Sequence, residues 1–159
     1  MMAREAIQEI RNKTNDREGI GDLDNDEILS YLNEAIAFLS AFFISAGNPL
    51  VIKELDLNDG DVLPTDFAKT AGTFPMKITG RKVALFNKRK PLKVRYFAEI
   101  LPVKTEADSM PFEMQSLNIV LIKMAVIYVF NQQRFSVQQD QAITTELMNI
   151  INSALGHSA

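Results

Sequence analysis

The sequence predicts an α+β fold, mainly α: an antiparallel helical bundle with a small β-rich insertion, over about 50–103, between the second and third helices. Three observations lead there. Apolar residues recur at helical spacing on both sides of the middle segment, and within it the period shortens to two. Charge is sorted at nearly the same borders. Between Phe67 and Thr105 the chain carries ten Lys and Arg against the single acid Glu99, a balance of +9, whereas the rest carries seven against nineteen, a balance of −12. Such sorting marks a contact surface. The 159 residues suit one domain, 1–159, large enough to bury a core. Within it, N-terminal helices fill 1–48, the β-rich insert 50–103 and C-terminal helices 113–156, with Gly and Pro at turns and element ends.

Each element has its own local cause. Ala6, Ile7 and Ile10 pattern a first short helix over Ala3 to about Lys13, and a polar, Gly-containing break follows over Thr14 to Asp22. Asp24, with Glu27 three residues on, makes a capping box for the second helix. Ile28, Leu29, Leu32, Ala35, Ile36, Leu39, Phe42 and Phe43 line its apolar face until Gly47, Asn48 and Pro49 stop the run. Leu50 to Leu57 alternates in its second half, and Leu63 to Phe67 reads as a loop. Strands are expected at Met76 to Thr79, Lys82 to Phe86 and Leu92 to Ile100; in the last, Val94, Tyr96 and Ala98 face one side and Lys93, Arg95 and Phe97 the other. Asn87 to Pro91 turns the chain between the last two strands and puts Lys88, Arg89 and Lys90 at one tip. The helix expected over Glu113 to Gln133 is apolar around most of its circumference and therefore central. A final helix opens at Ser136, with Gln139 placed for a capping box, and presents Ile143, Leu147, Ile150 and Leu155 before Gly156.

Composition removes most catalytic chemistries. There is no Cys, and the one His, His157, stands three residues from the end, a poor place for a general base or metal ligand. Glycines never cluster ahead of a helix, which excludes a Walker loop and a dinucleotide fingerprint. The acid-rich runs from Asp22 and from Asp56 begin like calcium loops, but the closing bidentate acid would be Asn33 in one and Phe67 in the other. Asp66 with Glu99 is a formal carboxylate pair without any readable difference of environment between the two acids. Neither helical arm has a basic face for a recognition helix. The N-terminus lacks an apolar signal core, and the longest apolar stretch, Leu117 to Phe130, falls short of the roughly 20 residues that span a bilayer. The chain is therefore expected to be neither an enzyme nor a cofactor, metal or membrane protein.

The basic segment has a plain and a functional reading. On the plain one, Lys77, Arg81, Lys82, Lys88, Arg89, Lys90, Lys93 and Arg95 are the solvated face of a small sheet, with lysines guarding an edge. On the functional one, Lys82, Lys88, Arg89, Lys90, Lys93 and Arg95 meet an acidic protein surface, such as the acidic arm of a neighbouring copy. The alternative is a DNA-binding or protein-interaction module using the same strands, with Tyr96, Phe97 and Phe86 as stacking platforms for bases.

Taken in order, a capped helix with Tyr31-Leu32-Asn33-Glu34-Ala35, then Leu63-Pro64-Thr65-Asp66-Phe67, Thr73-Phe74-Pro75 with Gly80, Val94-Arg95-Tyr96-Phe97, Met110-Pro111-Phe112, and Gln138-Gln139-Asp140-Gln141-Ala142 form a series. This series resembles the head-to-tail adaptor, or connector, proteins of tailed bacteriophages, from about Asp24 to Leu155. The resemblance implies a non-enzymatic structural virion protein, made in the host cytoplasm and placed at the head–tail junction. Such a protein binds below the portal protein as a ring, commonly dodecameric, extends the channel through which DNA passes, and carries tail or nozzle proteins. It implies no catalytic residue and no cofactor. A further expectation is that Met1 to Asn15 and the residues beyond Gly156 are mobile in the free subunit and ordered on assembly.

Overall fold

The structure, a computed structural model, describes residues 1–14, 23–131 and 137–156, and in 137–143 the backbone alone. The described residues form four α-helices, α1 (Ala3–Thr14), α2 (Asn25–Ser45), α3 (Gln115–Asn131) and α4 (Val137–Ala154). Five strands lie between the second and third: β1 (Ile52–Leu57), β2 (Phe67–Thr70), β3 (Met76–Thr79), β4 (Lys82–Leu85) and β5 (Leu92–Ala98). The chain divides into two compact units, residues 1–38 with 102–159, and residues 39–101.

In the first unit α1 and α4 each pack on α3. That helix is apolar nearly all round, and Leu117, Val120, Leu121, Ile122, Met124 and Ala125 are all buried. The start of α2 is closed by the reciprocal box read from the sequence: the Glu27 amide donates to Asp24 Oδ1 at 2.8 Å, and the Asp24 amide donates to Glu27 Oε2 at 2.9 Å. Met1 to Asn15 is not a loose arm as far as it is described. Ala3, Ala6, Ile7 and Ile10 are buried, and the amides of Ala3 and Arg4 donate to the carbonyls of Asp108 and Glu106 at 2.8 and 2.9 Å. The buried Arg11 donates from Nη1 to the Leu23 carbonyl at 3.0 Å and from Nε to Asn25 Oδ1 at 3.1 Å, and Asn25 Nδ2 donates in turn to Glu106 at 2.7 Å. A helix held by four apolar side chains and a buried guanidinium does not have the mobility expected of it in the free subunit.

Two asparagines on helices serve as short strand mimics for the connector over 102–112. Asn33 Nδ2 donates to the Val103 carbonyl and its Oδ1 accepts from the Val103 amide, both at 2.9 Å. Asn118, 1 % exposed, does the same for Phe112, at 2.7 and 3.2 Å. Asp108 closes the turn between them by accepting from the amides of Lys104 and Thr105, and these bonds hold its carboxyl below the usual range. Replacing Asn118 with Ala removes both of these bonds from the half-buried backbone of Phe112. We expect a loss of about 1–3 kcal/mol in urea unfolding, and a change under 0.5 kcal/mol would contradict the strand-mimic role.

In the second unit, α2 ends in a Schellman motif. The amide of Asn48 bonds the carbonyl of Phe43, and that of Gly47, at φ +65°, bonds the carbonyl of Ile44. Three strands form an antiparallel sheet in the order β1-β5-β2, and β3 pairs with β4 in a separate hairpin turned by Gly80 at φ +62°. The segment 60–63 runs along β4, with bonds from Gly60 to Val83, Val83 to Asp61 and Leu63 to Arg81. The inner faces of sheet and hairpin share a core of Leu57, Leu63, Val83, Leu85 and Val94, flanked by Leu55, Phe67, Phe74, Met76 and Leu92.

The predicted helical bundle with a β-rich insertion over about 50–103 is overturned. Four helices stand beside five strands in two small sheets, an α+β arrangement in which the strands are no appendage of a bundle. The physical reason is that the strand segment closes a core of its own, while the residues of α2 from Leu39 onward group with the strands rather than with the other helices. Periodicity identifies an element type, but packing decides which elements form a layer. The loop expected at Leu63 to Phe67 also hands over to a strand, β2, whose bulged pairing leaves no clean alternation to read. The capping box expected at Ser136 lies outside the described residues, as does the segment beyond Gly156.

Among the described helices, α2 has the length and apolar content to cross a membrane, a test that a buried core helix also passes. Its Ile28, Leu32, Ala35, Ile36, Leu39 and Phe43 are buried in the fold.

Candidate interaction surface

Burial along β5 alternates as its sequence requires. Val94, Tyr96 and Ala98 are buried, Lys93 and Arg95 are exposed on the opposite face, and Phe97 is half-buried there. The register then sets a partner against each base. Arg95 stands directly across from Glu54 of β1, and Lys93 from Asp56. Directly opposite residues in an antiparallel pair have Cβ atoms about 4.5–5.5 Å apart, so each of these two bases has an acid as its cross-strand neighbour, although neither pair closes to an ion pair. On the other side of β5, Lys69 of β2 sits over the Phe97 ring with its Nζ 5.2 Å from the centroid. Arg81 is also occupied, since its guanidinium donates to the carbonyls of Leu63 at 3.1 Å and of Pro64.

Of the six residues singled out from the sequence, none of which forms an ion pair among the described residues, Lys82, Lys88, Arg89 and Lys90 are the four with no acid across a strand pair. All four side chains are exposed. The tip is shaped by Asn87, whose Oδ1 accepts from the Arg89 amide at 3.1 Å. Lys82 belongs to β4 and points away from the core that Val83 and Leu85 enter. The structure therefore divides the set: Lys93 and Arg95 lie on the sheet with acids opposite, and Lys82 with the tip residues lies on and beyond the hairpin. Glu54 and Asp56 are the residues that sequence reading missed. Their alternation with Leu55 and Leu57 was the available signal, since a strand paired with β5 had to set them against its bases.

The aromatic row expected to stack nucleic-acid bases is taken apart. Tyr96 is 5 % exposed and stacks on Phe67 at 5.3 Å between centroids, Phe97 lies on the opposite face under Lys69, and Phe86 alone is open, at 75 %.

Asp66 and Glu99 do come close, because the Glu99 amide donates to the Asp66 carbonyl at 2.7 Å. The Asp66 carboxylate is committed elsewhere. It accepts from Lys53 Nζ at 2.6 Å and from the Tyr96 hydroxyl at 3.1 Å. Burial pushes its pKa up, but the bonds from Lys53 and Tyr96 and the Lys53 charge outweigh it and hold the carboxyl below its ordinary value. Tyr96 moves the other way, raised by burial and by its bond to the anion. A carboxyl kept ionised in this way is a structural anchor and not a proton donor. Among the described residues no group of three or more His, Asp or Glu side chains is placed to hold a metal ion.

The folded units keep the charge pattern but soften it. Residues 39–101 hold ten Lys and Arg against six acids, a balance of +4, and the other unit holds seven against fourteen, a balance of −7. The contrast is smaller than along the chain because Glu54, Asp56, Asp59, Asp61 and Asp66 fold into the basic unit. In comparisons with known proteins, the chain matches no family model and no curated protein.

Proposed function

We propose that this chain is a structural subunit of a phage head-to-tail connector, a non-enzymatic adaptor that assembles as a ring below the portal, extends the DNA channel and carries tail components. The observation that carries the reading is the uncompensated tip Lys88-Arg89-Lys90 on a unit of net positive charge, in a chain whose other unit is strongly negative. Opposite charges on separate surfaces orient copies head to tail, and such contacts close into rings when the rotation permits. The order of sequence motifs from Tyr31 to Ala142 supports the same reading, and repetition around a ring turns modest individual contacts into a stable assembly. The self-contact, the portal below the head and the tail proteins are the partners of this reading, the head–tail junction is its location, and DNA passes without sequence-specific contact.

Electron microscopy of the purified protein mixed with portal rings tests it directly, with a coaxial second ring as the expected result. Reversing Lys88, Arg89 and Lys90 to Glu is expected to raise the concentration needed for ring formation or tail docking by roughly tenfold or more, with unchanged melting. Wild-type assembly by that variant, or salt-sensitive DNA binding with no second ring, would overturn the reading.

A further inference from the structure

The outward face of the β3–β4 hairpin has no role in the fold. Register places Lys77 opposite Ala84 and Thr79 opposite Lys82, so these four share the side turned away from Val83 and Leu85. Val62 joins that side through its bridge to Lys82, and Phe86 continues the alternation of β4. All six residues are exposed, Val62 at 67 % and Phe86 at 75 %, and neither lysine has an ion pair among the described residues. An open sheet face carrying two ammonium groups without ion pairs, flanked by an exposed valine and phenylalanine, suits a flat surface that presents two carboxylates.

The chain itself supplies such a surface. On α2, Asp26, Ser30, Glu34 and Ala37 fall at successive turns of one face, and all four are exposed. Serine and alanine leave the helix backbone approachable, and the two carboxylates stand about 12 Å apart along the axis. Lys77 and Lys82 are diagonal neighbours about 7–8 Å apart, and their flexible stems cover the difference. We propose that the outward face of the β3–β4 hairpin docks on the Asp26–Glu34 face of α2 in a second copy of this chain. Because the two faces differ, the contact is heterologous and repeats from copy to copy. The inference rests on the reading of the chain as a self-assembling subunit and names the surfaces that meet.

Two variants and their mixture test it, assembled on portal rings and alone, and followed by sedimentation velocity. Lys77→Glu with Lys82→Glu sets acid against acid, and Asp26→Lys with Glu34→Lys sets base against base. Each variant alone is expected to associate at least about tenfold more weakly than wild type. Mixed in equal amounts, the two restore assembly to within about threefold, because each reversed face then meets its opposite, and the copies alternate. Phe86→Ser weakens association without any change of charge. If wild type assembles and the hairpin variant assembles equally well, or the mixture stays dissociated, the inference fails while the connector reading stands. If wild type forms no assembly in either setting, the connector reading fails and takes the inference with it.

Discussion

Truncation of Phe43 to Ala will lower the unfolding free energy by about 3–5 kcal/mol, the range for a large aromatic removed from a closed core. Phe43 is fully buried, and its backbone carbonyl accepts the Asn48 amide in the motif that ends α2. The ring therefore sits on backbone held by two capping bonds and a glycine at positive φ, which limits how far the site can collapse around a void. Phe42, half-buried with its ring centroid 6.0 Å away, is the internal control, and Phe42→Ala should cost clearly less, about 1–2 kcal/mol. Urea unfolding monitored by circular dichroism separates the two, with the midpoint falling and the slope retained. Equal losses at both positions would mean that Phe43 does not anchor the core.

Loss of the Asp66 carboxylate will destabilise the protein by about 1–3 kcal/mol at neutral pH and will remove part of its acid sensitivity. The folded-state pKa of Asp66 lies below the unfolded value, near 3.9, so the native state favours the ionised form. Its contribution is complete above the unfolded value and declines as pH falls through the folded one. Lys53 lowers that pKa through its 2.6 Å bond and its charge, an attraction weakened by water because that side chain is 60 % exposed, and the buried Tyr96 bond adds to it. Asp66→Asn should thus flatten the stability profile on the acid side, as pH falls through the ordinary carboxylate range and below it, relative to wild type. Combining it with Tyr96→Phe should cost less than the separate losses together, since each variant removes the same bond. A wild-type-like acid profile in Asp66→Asn would show that the anion gives no net stabilisation.

These two sites differ in how far they could be read in advance. Phe43 was legible, because it falls on the apolar stripe that begins at Ile28, and its burial follows from helical spacing alone. Asp66 was read only as half of a formal carboxylate pair with Glu99. Its partners, Lys53 and Tyr96, lie 13 and 30 residues away, and the pairing of both β1 and β2 with β5 brings them to it. The same holds for the asparagines. Asn33 and Asn118 look like ordinary polar residues on helices, and their role as strand mimics depends on where the connector over 102–112 runs.

The candidate surface followed that division. Lys88, Arg89 and Lys90 sit on a turn whose exposure could be read from Asn87 and Pro91, and the structure leaves them exposed and unpaired among the described residues. Lys93 and Arg95 were read with the same confidence in their charge, yet register placed Asp56 and Glu54 across from them. A count along the chain treats those acids as belonging to the other side of the boundary, although in space they are nearest neighbours.

By itself the sequence determined the kinds of element apart from β2, the capping box at Asp24, the stop at Gly47, the inner and outer faces of β5 and the exposed basic tip. Each of these depends on residues a few positions apart, where helical or strand periodicity and local hydrogen bonds decide the outcome. Only the tertiary structure decided that the strands close a core of their own, that Glu54 and Asp56 stand across from two of the six basic residues, and that Asp66 is an anchor. Those outcomes depend on which distant segments pair and in what register, a choice made by the packing free energy of the whole unit and not by any local pattern.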